Sequence, residues 1–487
     1  MKQLFVVCCI FACVFELSAQ PLQLHPENPH YFFYNGKPTV LIGSGEHYGA
    51  VLNRAFDYDL YLKTMQQDGQ NLTRMFTGAY VEKLGAFGIQ QNTLAPAENQ
   101  FLPPWARSDT PGYINGGNKF DLDNWNPDYF TRLKDFVKTA DERGVFVEVV
   151  MFSSIYTDDN WRYMPFFPEN NINDITLQDR RKVNSLDNGK LFSYQEAMVR
   201  KIVRELNEFD NIYFEIQNEP WADMGDSVGV VLEHLIDDKL PNKWQNLVEA
   251  ANKASLAWQA KIADIIGDEE ENLPKQHLIA QNYTNFIHPV KHVEDKISVM
   301  NFHYALPNCV DVNWGWNRPV AFDESGFAGP GPDVYRRQAW RFILSGGAVF
   351  SGLDYSFYPG HEDGTGKLMG PGGGGTELRL QLAVLRNFME NFNLPALQPD
   401  HSTVVHQPGL YVYLLSEPGE QYAGYVEGNQ QSQLHLNVPE GIYVVKWIEV
   451  KTGNVLSESQ IDHTVDILVL ETPEFDDEIA LDIRKEN

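Results

Sequence analysis

The chain has 487 residues, 43% of them hydrophobic and 21% charged, which is enough apolar material for a large core and excludes a disordered or fibrous class. Asp and Glu number 66 against 38 Lys and Arg, for a formal net charge of −28. That balance argues against a nucleic-acid partner and against an anionic membrane surface, and it suits an uncharged substrate.

The first twenty residues, MKQLFVVCCIFACVFELSAQ, place Lys2 ahead of the apolar run Leu4–Phe15. That run is too short to cross a bilayer, and Leu17-Ser18-Ala19 suits signal-peptidase cleavage. Residues 1–19 are therefore expected to be a signal peptide, and the mature chain to be secreted or periplasmic. A lipoprotein lipidated at Cys13 is disfavoured by the poor approach of Ile10-Phe11-Ala12. Removal of the segment takes Cys8, Cys9 and Cys13 with it and leaves Cys309 alone, so neither an internal disulfide nor a cysteine metal site is expected. No later apolar run is long enough for a transmembrane segment.

After this segment, HYFFYNGKPTVLIGS (30–44) reads as a strand, an Asn-Gly turn and a second strand. Eight apolar runs then recur: Thr39–Gly43, Asn71–Phe76, Val145–Phe152, Ile212–Gln217, His277–Gln281, Ile297–His303, Pro319–Asp323 and Ala348–Asp354. Helical periodicity follows most of them, over Asp57–Gln67, Pro127–Arg143, Ser193–Glu208, Asn242–Ile266, Asp333–Leu344 and Glu377–Met389. Eight alternating units predict an α/β fold, a (β/α)8 TIM barrel over residues 20–395. A doubly wound sheet is the competitor, but GSGEHYG after the first run lacks the remainder of a dinucleotide fingerprint. From residue 400 the texture changes to short alternating runs divided by Gly, Pro and Asn, which predict a small all-β sandwich over 400–487 joined through Leu394–Pro399. Its tyrosines and Trp447 sit at core-like spacing, which favours a buttress over a binding module. GTGKLMGPGGGG (364–375) resembles a phosphate loop, yet Leu368 stands where Ser or Thr is required and no strand leads in. A flexible active-site loop is the expectation there.

The chemistry is expected at the C-terminal ends of the barrel strands. YFEIQNEPW (213–221) ends the fourth run, and Pro220 stops the strand with Glu219 at its tip. RPVAFDESGF (318–327) ends the seventh with Asp323-Glu324. Strands four and seven face each other across a barrel mouth, so Glu219 and Glu324 form a carboxylate pair suited to glycosidic cleavage, one ionised and attacking, the other donating a proton. Glu215, four residues deeper, is expected in the barrel interior. No H-x-H or H-E-x-x-H pattern occurs, and the chemistry calls for neither metal nor cofactor. A barrel lyase would want a lysine at a strand end, and these runs carry none.

With these motifs in place the chain resembles the retaining glycoside hydrolases of clan A, the group of the family 5 cellulases and mannanases. The resemblance implies Glu219 as acid/base, Glu324 as nucleophile, and Asn218 as a ligand of the sugar 2-hydroxyl. It implies that Arg74 of NLTRMF (71–76) keeps the nucleophile ionised. The His-x-Tyr of family 5 is here the adjacent pair His303-Tyr304, and the alternation of side chains along a strand leaves room for one of them, Tyr304, to face the nucleophile with His303 close behind. The strand-eight tryptophan is replaced by Asp354 and Tyr355, so family 5 itself is not assigned. Glu46 and His47 end the first strand and are expected to meet sugar hydroxyls, a structural ion pair or helix cap being the alternative. Two or three of Trp105, Trp125, Trp161, Trp221, Trp314 and Trp316 are expected as sugar platforms, with Trp221 the best placed. The expected function is a secreted retaining β-glycosidase with a carbohydrate substrate. A non-catalytic glycan-binding protein on a decayed barrel is the alternative, against which the intact acids argue.

Overall fold

The computed structural model describes residues 20–231 and 243–486; the expected signal peptide lies outside the described residues. Eight parallel strands form the barrel: β1 (Leu41–Gly45), β2 (Leu72–Phe76), β3 (Phe146–Ser153), β4 (Ile212–Asn218), β5 (Ile279–Asn285), β6 (Val299–His303), β7 (Val320–Ser325) and β8 (Val349–Leu353). Neighbours pair in sequence from β2 round to β8, and β8 pairs with β1. The last seam, β1 to β2, is closed by Asn71. Its side chain accepts from the Ile42 N–H at 2.7 Å and donates to the Val40 carbonyl at 2.9 Å. Gly43 is required at this seam, because any Cβ there would collide with the Leu72 carbonyl.

The expected N-terminal hairpin is present as Phe32–Tyr34 paired with Lys37–Thr39, joined by Asn35 and Gly36, both with positive φ. It brings Phe32, together with Leu22, under the barrel. There they pack on the opening residues of the strands, among them Leu41, Leu72, Phe146, Val299 and Val349. This apolar layer seals the floor.

Helices Tyr58–Gln67, Pro127–Glu142, Leu191–Leu206, Lys253–Glu270, Pro332–Ile343 and Thr376–Glu390 surround the barrel. One helix departs from expectation. Its predicted first residue, Asn242, lies outside the described residues, and Leu247–Ala251 is a strand instead, paired antiparallel with Gly225–Val230 and bridged to β5 at Ala250. The helix starts only at Lys253, where the Asn252 side chain caps the Ala254 and Ser255 N–H groups at 3.0 and 3.1 Å. The apolar spacing of LVEAA fits either period, and the cap decides where the helix begins. None of the described helices is long and apolar enough to cross a membrane.

At the C-terminus a six-stranded antiparallel sheet packs on a three-stranded one. Tyr422, Tyr443 and Trp447 lie in the core between them, whereas Tyr411 is exposed. Tyr425 instead stacks on Trp340 of a barrel helix at 5.5 Å, and Arg341 of that helix forks onto Glu427 at 2.8 and 2.9 Å. The sandwich is thus locked to the flank of the barrel by an aromatic stack and a bidentate ion pair.

Candidate active site

Above the apolar floor the barrel interior is polar. Arg74 of β2 is fully buried, with Nη2 at 2.5 Å from Glu215 of β4, Nε at 3.0 Å from Glu148 of β3 and Nη2 at 3.2 Å from Asp323 of β7. Asn301 of β6 donates to Glu148 at 2.7 Å and to Asp323 at 2.9 Å. Three acids around one guanidinium leave a surplus of negative charge. Burial accordingly pushes the Glu148 and Glu215 carboxyls up against the pull of Arg74, with Asp323 adding to the rise. Glu215 is an interior group, as its depth in the strand implied.

The next layer up is the mouth. Glu219 and Glu324 face each other there, and with His303 between them their nearest ligand atoms all lie within 4.8 Å of one another. His303 Nδ1 is 2.9 Å from Glu219 Oε1 and 3.5 Å from Glu324 Oε1. Tyr156, in the loop after β3, donates to the other Glu219 oxygen at 2.7 Å. Tyr304 donates to Glu324 Oε1 at 2.7 Å and Tyr48 to Glu324 Oε2 at 2.8 Å. Both oxygens of both acids are therefore held. Burial alone would raise the Glu324 carboxyl. The His303 charge and hydrogen bond, Arg74 and the Tyr304 hydroxyl outweigh it and hold the group well below the usual carboxylate range. Burial opposes protonation of His303, but the Glu324 and Asp323 carboxylates raise it well above the usual imidazole range.

Adjacent residues share this space through irregular backbone. The pairing of β6 with β7 slips between Phe302 and His303, so Asp323 and Glu324 both turn inward. Tyr304 has a φ of 51°, which swings its ring to the same side as His303. The expectation that alternation admits only one of that pair is corrected: both reach the acids.

Asn218 accepts from Arg74 Nη2 at 3.1 Å and donates to the Tyr156 hydroxyl at 3.0 Å, and its side chain borders the cavity. Arg74 Nη1 stands 3.6 Å from Glu324 Oε2, beyond hydrogen-bond reach, and donates at 2.8 Å to the intervening Tyr48 hydroxyl. Of the strand-one pair, His47 borders the cavity 3.4 Å from Glu82, whereas Glu46 does not reach it. Glu46 accepts from the Gly49 and Ala50 N–H groups at 2.9 and 3.2 Å and from Thr93, and burial pushes its carboxyl up to about 7. It caps the turn, the structural alternative.

The cavity over the acids has a volume of about 540 Å³. Tyr80, Glu82 and Phe87 from the long β2–β3 connection line it together with Trp221, Trp244 and Phe327. Of the six expected tryptophans only Trp221 borders it. Trp105 and Trp161 are buried in loop cores, Trp314 stacks on His30 at 3.5 Å, Trp316 donates to the Val290 carbonyl, and Trp125 packs on Trp105. Trp244, 5.2 Å from the Tyr304 ring, was missed; an isolated aromatic in the polar stretch PNKWQN was its signal. Tyr48 and Tyr156 were missed as well, because both reach the acids from loops. Asp354 turns away to Arg379 and Ser44. The expected flexible loop is packed: a Cβ at Gly370 or Gly372 would strike the Tyr355 ring and one at Gly373 the Tyr335 ring, and Pro371 borders the cavity.

Two triads of the described residues bring potential metal ligands together, Glu219-His303-Glu324 and Glu148-Glu215-Asp323. In the first, hydrogen bonds already occupy the carboxylates; in the second, Arg74 supplies the positive charge.

No protein-family model matches the chain, and no curated protein matches it in sequence. Solved structures do match in fold. One glycoside hydrolase is 13% identical with a TM-score of 0.58, over 96% of this chain and 97% of its own. A family 5 glycoside hydrolase from Bacteroides vulgatus is 12% identical with a TM-score of 0.62, over 96% of this chain and 93% of its own. At this identity the likeness is one of architecture, and the chain has the fold of glycoside hydrolases, a family 5 enzyme among them.

Proposed function

We propose that the protein is a retaining β-glycoside hydrolase that acts on an uncharged glycan. One observation carries the reading: Glu219 and Glu324 bring carboxylate oxygens within 4.8 Å of each other across an open cavity. Nearest oxygens this close leave little room for a water between the acids, which favours double displacement, with carboxyl groups about 5–5.5 Å apart, over direct attack by water, which needs about 6.5–9.5 Å. The shared glycoside hydrolase fold supports the same class.

In this reading Glu324, kept ionised by His303, Arg74 and Tyr304, attacks the anomeric carbon. Glu219 gives its proton to the leaving oxygen, and a glycosyl ester forms on Glu324. Water then enters, Glu219 takes its proton, and the sugar leaves with its original configuration. Asn218 keeps a second amide N–H for the sugar 2-hydroxyl, and Trp221 and Trp244 line the cavity as aromatic surface for sugar rings. The described cavity-lining residues include four carboxylates (Glu82, Glu219, Glu249 and Glu324) and no Lys or Arg, which disfavours a uronate. Export through residues 1–19 belongs to the same proposal and is checked by sequencing the mature N-terminus.

The test is proton NMR of hydrolysis of a β-linked aryl glycoside or oligosaccharide. The β-anomer is expected first. An α-anomer first would reject retention, and absence of cleavage across a broad panel of neutral β-glycans would reject the enzyme.

A further inference from the structure

We propose that Tyr48 is the positioning residue of the nucleophile: its hydroxyl couples Arg74 to Glu324 and fixes the plane of the attacking carboxylate. The proposal rests on the reading of Glu324 as nucleophile.

The direction of the hydrogen bonds carries the argument. The Tyr48 hydroxyl lies 2.8 Å from Arg74 Nη1 and 2.8 Å from Glu324 Oε2. A guanidinium can only donate. The hydroxyl must therefore accept from Arg74, and its single proton has only Glu324 to go to. A donor that accepts from a cation is polarised into a stronger donor. Arg74 itself is 3.6 Å from the carboxylate, and its shorter contacts go to the acids below. Its charge acts on the nucleophile across that gap, but its hydrogen-bonding hold on the carboxylate passes through the phenol.

The ring is held to this task. It stacks on Phe76 at 4.8 Å and on His47 at 5.5 Å, and the Arg74 guanidinium carbon sits 4.7 Å from its centre. Its backbone is left-handed, with φ at 63°, and its carbonyl accepts from the Phe76 N–H at 2.9 Å. The Glu46 carboxylate caps the two N–H groups that follow. An otherwise unfavourable backbone is thus bolted to β2, which is how strain persists at a working site. Tyr304 holds Oε1 from β6 while Tyr48 holds Oε2 from the β1 loop, so the carboxylate cannot rotate without breaking one bond.

Other charged or titratable groups also face Glu324. Arg74 approaches from β2, Glu219 from β4, His303 and Tyr304 from β6, and Asp323 is its own neighbour on β7. His47, Tyr156 and Tyr355 act from the β1, β3 and β8 loops. Of these, Tyr304 donates a hydroxyl to Glu324 at 2.7 Å as Tyr48 does at 2.8 Å, and His303 makes a longer contact at 3.5 Å.

The experiment compares the full chain with its Tyr48→Phe variant. Protein labelled with 13C at glutamate carboxyls is titrated, the Glu324 signal being assigned by its loss in Glu324→Gln, and kcat/KM is followed against pH on an aryl β-glycoside. Tyr48→Phe is expected to raise the Glu324 midpoint and the acid limb by about one pH unit. It is expected to lower kcat about 10- to 100-fold with little change in KM. An unmoved midpoint and limb overturn the proposal. A fluorinated tyrosine at 48, nearly the same size and a stronger donor, must shift the midpoint downward; an upward shift also overturns it, and this arm decides if the Phe variant does not fold. A wild type that cleaves no glycoside would reject the functional reading, while the titration still decides whether Tyr48 holds Glu324.

Discussion

The two ends of the barrel use the left-handed backbone in opposite ways. At the floor, positive φ falls on residues that tolerate it: Gly69 ahead of β2, Gly144 ahead of β3, Asn317 ahead of β7 and Gly346 ahead of β8. At the mouth one glycine, Gly78 beyond β2, shares it with the bulky Tyr48, Glu219, Phe286, Tyr304 and Phe327, just beyond the tips of β1, β4, β5, β6 and β7. Each such bulky residue costs on the order of 1–3 kcal/mol. At the floor the chain turns and the side chain is dispensable. At the mouth the side chain is needed where an ordinary strand would not aim it, and apolar packing at the floor helps to offset the strain above. Three of the five, Tyr48, Glu219 and Tyr304, belong to the hydrogen-bonded cluster around the acids.

The largest effects should come from removing the mouth acids. Glu324→Ala should lower kcat by about 10⁴-fold or more, and Glu219→Ala by about 10²–10⁴-fold, both with unfolding midpoints close to wild type. Azide should restore turnover to Glu219→Ala as a β-glycosyl azide, whereas any azide product of Glu324→Ala should be the α-anomer. A Glu324→Ala enzyme that kept a tenth of its rate would break the assignment.

The middle layer sharpens the contrast. Arg74→Ala strands three buried acids and should cost about 3–5 kcal/mol. Phe32→Ala opens the floor and should cost about 3–5 kcal/mol as well. Urea unfolding would therefore rank the two together, and the pH–rate profile would separate them. Only Arg74→Ala removes a charge that keeps Glu324 low, so only its acid limb should move upward. A shift in Phe32→Ala would mean that the floor communicates with the acids.

Gly144→Ala tests the floor turn by itself. An added Cβ meets nothing within 4 Å, so the penalty is conformational, about 1–2 kcal/mol, with kcat/KM unchanged. A larger loss would show that packing, and not φ, selects glycine there.

The smallest effect concerns Glu46. Burial raises its carboxyl from 4.5 to about 7, so the folded state favours the proton. Its contribution to stability is then full below about pH 4.5 and is lost as pH rises through 7. Relative to Glu46→Gln, which stays neutral, wild type should become less stable between those values. Unfolding free energies with a constant difference across the range would contradict the shift.

The barrel was legible because its strands are short apolar runs ended by breakers. The start of each expected run falls within two residues of the observed strand, and Pro220 and Gly326 mark the tips that carry Glu219 and Glu324. The positions of the acids follow from strand ends, which periodicity shows. Their partners do not. Tyr48, Tyr156 and Trp244 come from three different connections, and nothing local in sequence joins them. His303 and Tyr304 were read against a regular pleat, which a slipped register and a left-handed residue override. Two or three of six loop tryptophans were expected as sugar platforms, but loops as long as the β2–β3 and β3–β4 connections need cores of their own, and Trp105 and Trp161 fill them.

The most direct test of the central claim is covalent trapping. A 2-deoxy-2-fluoro β-glycoside with a good leaving group should form an ester that accumulates, and peptic mapping by mass spectrometry should find it on Glu324 in RPVAFDESGF. The label should be absent from Glu324→Ala and should turn over when an acceptor sugar is added. A label on Glu219, or a wild-type enzyme that hydrolyses the parent glycoside but never carries the mass of the sugar, would contradict the account.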